Sequence, residues 1–220
     1  MLRLSFVSML IFIHSSFAVA RIDTALSYEL RQLFSHELES PTFSGFNLSA
    51  MYALKKPSTK VISILMGSQL YLSDFAWRAS GSGRVGFLTE MAFSTHLQYV
   101  SKRKLSFHVG ASVPLYSKAI SGGGMSMNTD TGRVESVSKT EYKGAGYNFE
   151  VGGDVIFKNS KVMGTKTDIG GNWAIKYLSR TFDAVECTMV SSKGDYSGAC
   201  EKTLLMQGFA YEVGMRVRLD

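Results

Sequence analysis

Cysteine is scarce in this chain: there are two in 220 residues, Cys187 and Cys200. Neither has the C-x-x-C surroundings of a metal knuckle, which excludes the common cysteine-based metal centres. Beyond the first twenty residues no segment is long and apolar enough to cross a membrane as a helix. The glycine run Ser121-Gly122-Gly123-Gly124 lacks the Gly-Lys-Ser/Thr of a phosphate loop. Basic residues are in excess, with a formal net charge of +6, but they form no single block. Nucleic-acid binding is therefore not expected.

What is present begins with an export signal. Met1-Leu2-Arg3 is a short basic start, Leu4 to Phe17 is mostly apolar, and Ala18-Val19-Ala20 supplies the small residues of a cleavage site. Residues 1–20 read as a secretory signal peptide and 21–220 as one exported domain. In an oxidising compartment the two cysteines are expected to pair. Folding their segment about Lys193-Gly194 places Cys187 opposite Cys200, and the bond would stabilise that loop by ~3 kcal/mol.

Alternation of period two dominates the rest. From Val85 to Tyr99 the odd row reads Val, Phe, Thr, Met, Phe, Thr, Leu, Tyr. Leu105 to Leu115, Tyr147 to Phe157 and Phe209 to Leu219 repeat the pattern, and Trp173, Ile175 and Tyr177 flank Lys176 on either side. Phe46, Leu48, Ala50, Tyr52 and Leu54 form an even row. Lys60 to Ser73 reads as a strand of undecided facing, because both rows are apolar. Ala25 to Glu37 alternates through Leu26, Tyr28, Leu30, Gln32 and Phe34, although Ile22, Leu26, Leu30, Leu33 and Leu38 also fit a helix. A strand is favoured there, making eight. The connections at 118–142 and 183–202 are long and lie at one end. Those at 55–60 and 101–104 are short, with 158–171 a longer exception at the same end as the short ones.

Alternation does not by itself say which row meets water. A soluble lipocalin-like barrel would turn the polar row outward. Yet Ser106 to Tyr116 offers no charge on its polar row, and Gly86 to Gln98 offers only Glu90. Gly, Ser and Ala dominate these rows, as the crowded inside of a narrow barrel requires. Phe46, Phe87 and Tyr147 near one end, with Tyr99, Phe157 and Trp173 near the other, form two aromatic belts. The apolar rows are therefore expected to face lipid. The expected fold is an all-β, eight-stranded antiparallel up-and-down transmembrane barrel with two long extracellular loops.

The final strand carries a further pattern. Glu212, Gly214, Val217 and Leu219 resemble the C-terminal assembly signal of outer-membrane barrels, although the chain ends Leu219-Asp220 where bacterial examples usually end on an aromatic. Together with the signal peptide, strand count and loop asymmetry, this chain resembles the small eight-stranded class similar to OmpA, OmpX and OmpW. The resemblance implies the outer membrane of a Gram-negative bacterium with periplasmic termini. It further implies lipid and lipopolysaccharide as surroundings, and the barrel-assembly machinery as a partner during biogenesis.

Within the polar rows a structural charge network is expected from Glu90, His96, His108, Glu150, Asp154, Lys176, Glu212, Arg216 and Arg218, since buried charges must be paired. His96 and His108 share the inner face. They lie directly opposite if their hairpin turns about Lys102 and diagonal if it turns about Arg103. No third ligand stands at a fixed spacing, so no metal site, cofactor or catalytic residue is assigned. The strand rows beside the cysteines differ in parity from a turn about Lys193-Gly194, so a bulge is expected near Leu204-Leu205.

The expected role is structural or surface-interactive, carried by the long loops and an extracellular ligand or partner. The alternatives are a narrow channel for small or hydrophobic compounds, a lipid-modifying enzyme, and a soluble ligand-binding barrel. For an enzyme, Ser94 and His96 share the inner face but lie near the short-turn end. Ser35, His36 and Glu37 lie near the outer end but alternate faces.

Overall fold

The computed structural model describes residues 21–36, 38–53, 62–79, 82–100, 105–127, 134–162, 164–191, 196–198 and 203–219. The expected signal peptide lies outside them. Among the described residues all regular structure is strand: β1 Arg21–Phe34, β2 Glu39–Ala53, β3 Ile62–Ala79, β4 Ser82–Val100, β5 Leu105–Met127, β6 Val134–Val162, β7 Thr165–Ser191, β8 Tyr196–Gly198 and β9 Thr203–Leu219. Every pairing is antiparallel, and neighbours in sequence are neighbours in space from β1 to β7. The ring closes because β1 pairs with both β2 and β9, and β9 with β7. The three-residue β8 only rides on the end of β7, at Cys187↔Gly198. The barrel proper has eight strands and no free edge among them, which is how a sheet satisfies its backbone in hydrocarbon.

Orientation follows from the side chains. On β5, Phe107, Val109 and Leu115 are 50%, 51% and 73% exposed, while Ser106 and His108 between and beside them are 3% and 7% exposed. On β9, Val213 and Met215 are exposed, whereas Ala210, Arg216 and Arg218 are buried. The cylinder thus carries its apolar residues outside and its charges inside, the inverse of a protein folded against water. Both expected aromatic belts, Phe46, Phe87 and Tyr147 at one end and Tyr99, Phe157 and Trp173 at the other, point outward.

β1 is a strand, with Leu26, Tyr28 and Phe34 outside and Ala25, Ser27, Glu29, Arg31 and Leu33 inside. β3 resolves in the same sense. Ile62, Ile64 and Leu72 face out, and Leu65, Tyr71 and Phe75 face in. Both rows of β3 are apolar because the inside is not polar throughout. At the end opposite the short turns, Leu33, Phe43, Tyr71, Phe75, Leu88 and Phe182 belong to one apolar cluster inside the cylinder.

Four expectations are corrected. The segment 118–142 is largely not a loop, because β5 and β6 stay paired from Lys118↔Lys143 to Met127↔Val134. Pairing satisfies backbone groups that an irregular loop would leave to water, and β-branched Val134, Val137 and Thr140 suit a strand. The segment 158–171 is likewise a hairpin, paired to Val162↔Thr165. It is closed by Gly164 at φ 83°, a left-handed conformation that favours glycine. Tyr116, expected on the inner row, faces out and is 49% exposed. Leu115 is an extra residue between Met91↔Tyr116 and Ala92↔Pro114, and this bulge exchanges the two faces. Finally, no bulge lies at Leu204-Leu205, since β7 and β9 keep one register through Phe182↔Leu204 and Thr181↔Leu205. The irregularity on β7 is at Val185, against β6.

Candidate functional site: the charged interior

Beneath the apolar cluster the lumen is filled with ionised side chains in three levels. In the upper level Arg180 of β7 grips Glu90 of β4. Its Nε and one terminal nitrogen each donate to a carboxylate oxygen at 2.8 Å. Arg31 of β1 adds a longer bond to Glu90 at 3.3 Å and a closer one to Glu29 at 2.5 Å. Its guanidinium lies 3.6 Å above the centre of the Tyr71 ring, a cation–π contact in a desolvated setting.

In the middle level Lys176 is the single ammonium. Its Nζ lies 2.7 Å from Glu29, 2.5 Å from Glu212 and 3.8 Å from Glu150. Glu212 also accepts from Ser27 at 2.7 Å, Asn47 at 2.9 Å and Asn172 at 3.0 Å. On the other side of Glu150, His96 Nε2 lies 2.8 Å and His108 Nε2 3.3 Å from the same carboxylate oxygen. The two imidazoles are stacked, with centres 5.0 Å apart and planes 7° from parallel.

In the lower level Asp23 takes contacts from Arg21 at 3.0 Å, Arg216 at 3.1 Å and Arg218 at 3.2 Å. Asp154 is bound by Arg216, by Ser106 and by Gln98 Nε2, the last at 3.0 Å. Arg21 also donates to Gln98. Each buried charge in these levels has an opposite charge beside it, the condition on which such burial is tolerated.

The nine residues read as an inner network, Glu90, His96, His108, Glu150, Asp154, Lys176, Glu212, Arg216 and Arg218, all point into this lumen; eight contact another of the nine, and Glu90 is held instead by Arg180 and Arg31. Arg21, Asp23, Glu29, Arg31 and Arg180 were missed. The first four sit on the odd row of β1, which competed with a helical reading. Arg180 lies four residues beyond Lys176 on one strand, and that parity alone would have placed it inside.

The remaining sequence candidates fall elsewhere. In the assembly pattern, Gly214 pairs with Ser27 across the seam, where an added Cβ would lie 2.4 Å from Leu26 O and from Ser27 Cα and Cβ. Val217 and Leu219 are half-buried. Cys187 is half-buried, its Sγ 3.7 Å from Thr140 Oγ1, while Cys200 lies outside the described residues. Ser94 is fully buried on the inner face. His36 and Ser35 border a shallow recess with Phe34, Leu205 and Gln207, and Glu37 lies outside the described residues.

No protein-family model matches this chain, and no curated protein matches it. Among solved structures it is similar to the outer membrane protein OprG from Pseudomonas aeruginosa. The identity is 10%, the match covers 92% of this chain and 97% of that one, and the TM-score is 0.47. The beta domain of the Bordetella autotransporter BrkA matches at 9% identity over 90% and 98% of the two chains, with a TM-score of 0.32. The outer membrane protease OmpT from Escherichia coli matches at 8% over 93% and 98%, with a TM-score of 0.18. Likeness at this level assigns no role to any residue.

Proposed function

We propose that this chain is an integral outer-membrane β-barrel with a closed interior, whose role is structural and surface-interactive. The observation that carries this reading is the filling of the lumen. Arg180, Glu90 and Arg31 bridge β7, β4 and β1 beneath an apolar cluster, so an ion would have to break desolvated pairs to pass. Function then resides on what projects outward. β5, β6 and β7 continue past the aromatic belt to Met127, Val134 and Ser191, a sheet-like projection suited to an extracellular ligand or partner.

Lipopolysaccharide is the expected neighbour on the outer side. The exposed Lys139 and Lys143 lie beyond Tyr147 of the outer belt along β6, where cations suit lipid phosphates, and Lys118, in contact with Glu141 at 2.7 Å, is paired with Lys143. Glu212, Gly214, Val217 and Leu219 are the proposed handle for the barrel-assembly machinery. A Cys187–Cys200 disulfide would brace the projection. Ser94 and His96 receive no catalytic role in this reading, because Ser94 is sealed and His96 is engaged with Glu150.

Planar-bilayer recording of the purified barrel, alongside whole-cell binding with residues 123–138 or 187–202 removed, tests the proposal. A silent barrel whose cell-surface interactions depend on either segment supports it. Steady unitary conductance abolished by blocking the lumen would replace it with the channel reading.

A further inference from the structure

We propose that His96, His108 and Glu150 form a site for one divalent transition-metal ion, of the Zn2+ class, inside the barrel. The three ligand atoms lie within 4.8 Å of one another and all three residues are buried. Glu150 Oε1 is 2.8 Å from His96 Nε2 and 3.3 Å from His108 Nε2. Ligands ~2.0–2.1 Å from a tetrahedral ion stand roughly 3.3 Å from each other, so both imidazole-to-carboxylate distances are near coordination spacing. The rings are stacked nearly parallel, so binding requires them to tilt towards each other until both nitrogens address one ion.

Two further observations point to a ligand there. First, the polar atoms are not satisfied by the protein. His96 Nε2 and Glu150 Oε2 are buried without a hydrogen-bond partner, His96 Nε2 making only the 2.8 Å ion-pair contact with Glu150 Oε1. Buried polar atoms are normally paired, and exceptions call for a cause. Second, the imidazoles are given room by two glycines on facing strands. A Cβ at Gly110 would lie 2.4 Å from His96 Cδ2, and one at Gly152 would lie 2.6 Å from His108 Nε2. Two imidazoles and a carboxylate form a borderline-soft donor set that favours Zn2+ and its neighbours over Ca2+ or Mg2+.

The test uses the full exported chain without an affinity tag, refolded into detergent with Zn2+ or Co2+ and then desalted. The expected result is one metal per folded barrel, with zinc-edge absorption fitting two imidazoles and Co2+ showing the visible bands of a four- or five-coordinate site. His96→Gln and Glu150→Gln should each weaken binding at least about tenfold, and His36→Gln should leave it unchanged. Folding is checked by the heat-dependent shift in electrophoretic mobility. If a variant fails to fold, the imidazole count in the unsubstituted barrel decides alone. A folded barrel that retains no metal, or retains it with fewer than two imidazoles, overturns the proposal. So does equal retention by folded His96→Gln/His108→Gln.

Discussion

Arg180 and Glu90 hold each other from β7 and β4, strands that share no ladder, with two parallel hydrogen bonds of 2.8 Å. The pair acts as a strut across the lumen. Arg180→Met should cost about 3 kcal/mol, because it leaves the buried Glu90 carboxylate with only the longer bond from Arg31. Arg180→Met combined with Glu90→Gln should recover much of that loss. Urea unfolding in detergent, arranged as a double-mutant cycle, measures both. A double variant as unstable as the single one would show that packing, rather than the stranded charge, sets the cost.

Gly214 sits on β9 directly against β1, and a methyl group there meets backbone from which it cannot be moved away cheaply. Gly214→Ala is expected to lower the folded yield or slow closure of the seam. Gly122, around which an added Cβ meets nothing within 4 Å, should accept alanine without effect. The comparison is read as the heat-resistant fraction on a gel.

How much of this was legible without coordinates depended on contrast between rows. On β4, β5, β6 and β9 one row is greasy and the other small or ionised, so both the strands and their facing were readable. β3 gave no facing because Leu65, Tyr71 and Phe75 line an apolar part of the lumen. β1 hid four charged residues behind a spacing that a helix could also satisfy. His96 and His108 could be placed on one face but not at one distance. The register of β5 with β6, which brings up Glu150, has no local signature. The bulges at Leu115 and Val185 depend on neighbouring strands and were invisible for the same reason.

The Leu115 bulge makes a sharp prediction about facing. In a background with Cys187 and Cys200 replaced, Tyr116→Cys should react with a lipid-soluble maleimide or be quenched from the acyl region. Ser117→Cys, buried on the inner row, should not. Reversed reactivity would mean that the extra residue is absent and the earlier row continues.

The two cysteines should resist alkylation until the protein is reduced, as a mass comparison before and after reduction can show. Cys187→Ser is expected to lower stability of the outer projection by ~3 kcal/mol, seen as earlier proteolysis of 187–202 with the membrane-embedded strands still protected. Full alkylation of the untreated, folded protein would rule the bond out.

The apolar cluster of Leu33, Phe43, Phe75, Leu88 and Phe182 lies over one end of the charged lumen, and a smaller one of Met51, Ala53 and Leu65 lies towards the other. The ion pairs are therefore held between two greasy patches of unequal size. Among the described residues the larger patch is the thicker barrier, so exchange of water with the carboxylates is expected to be slower from its side.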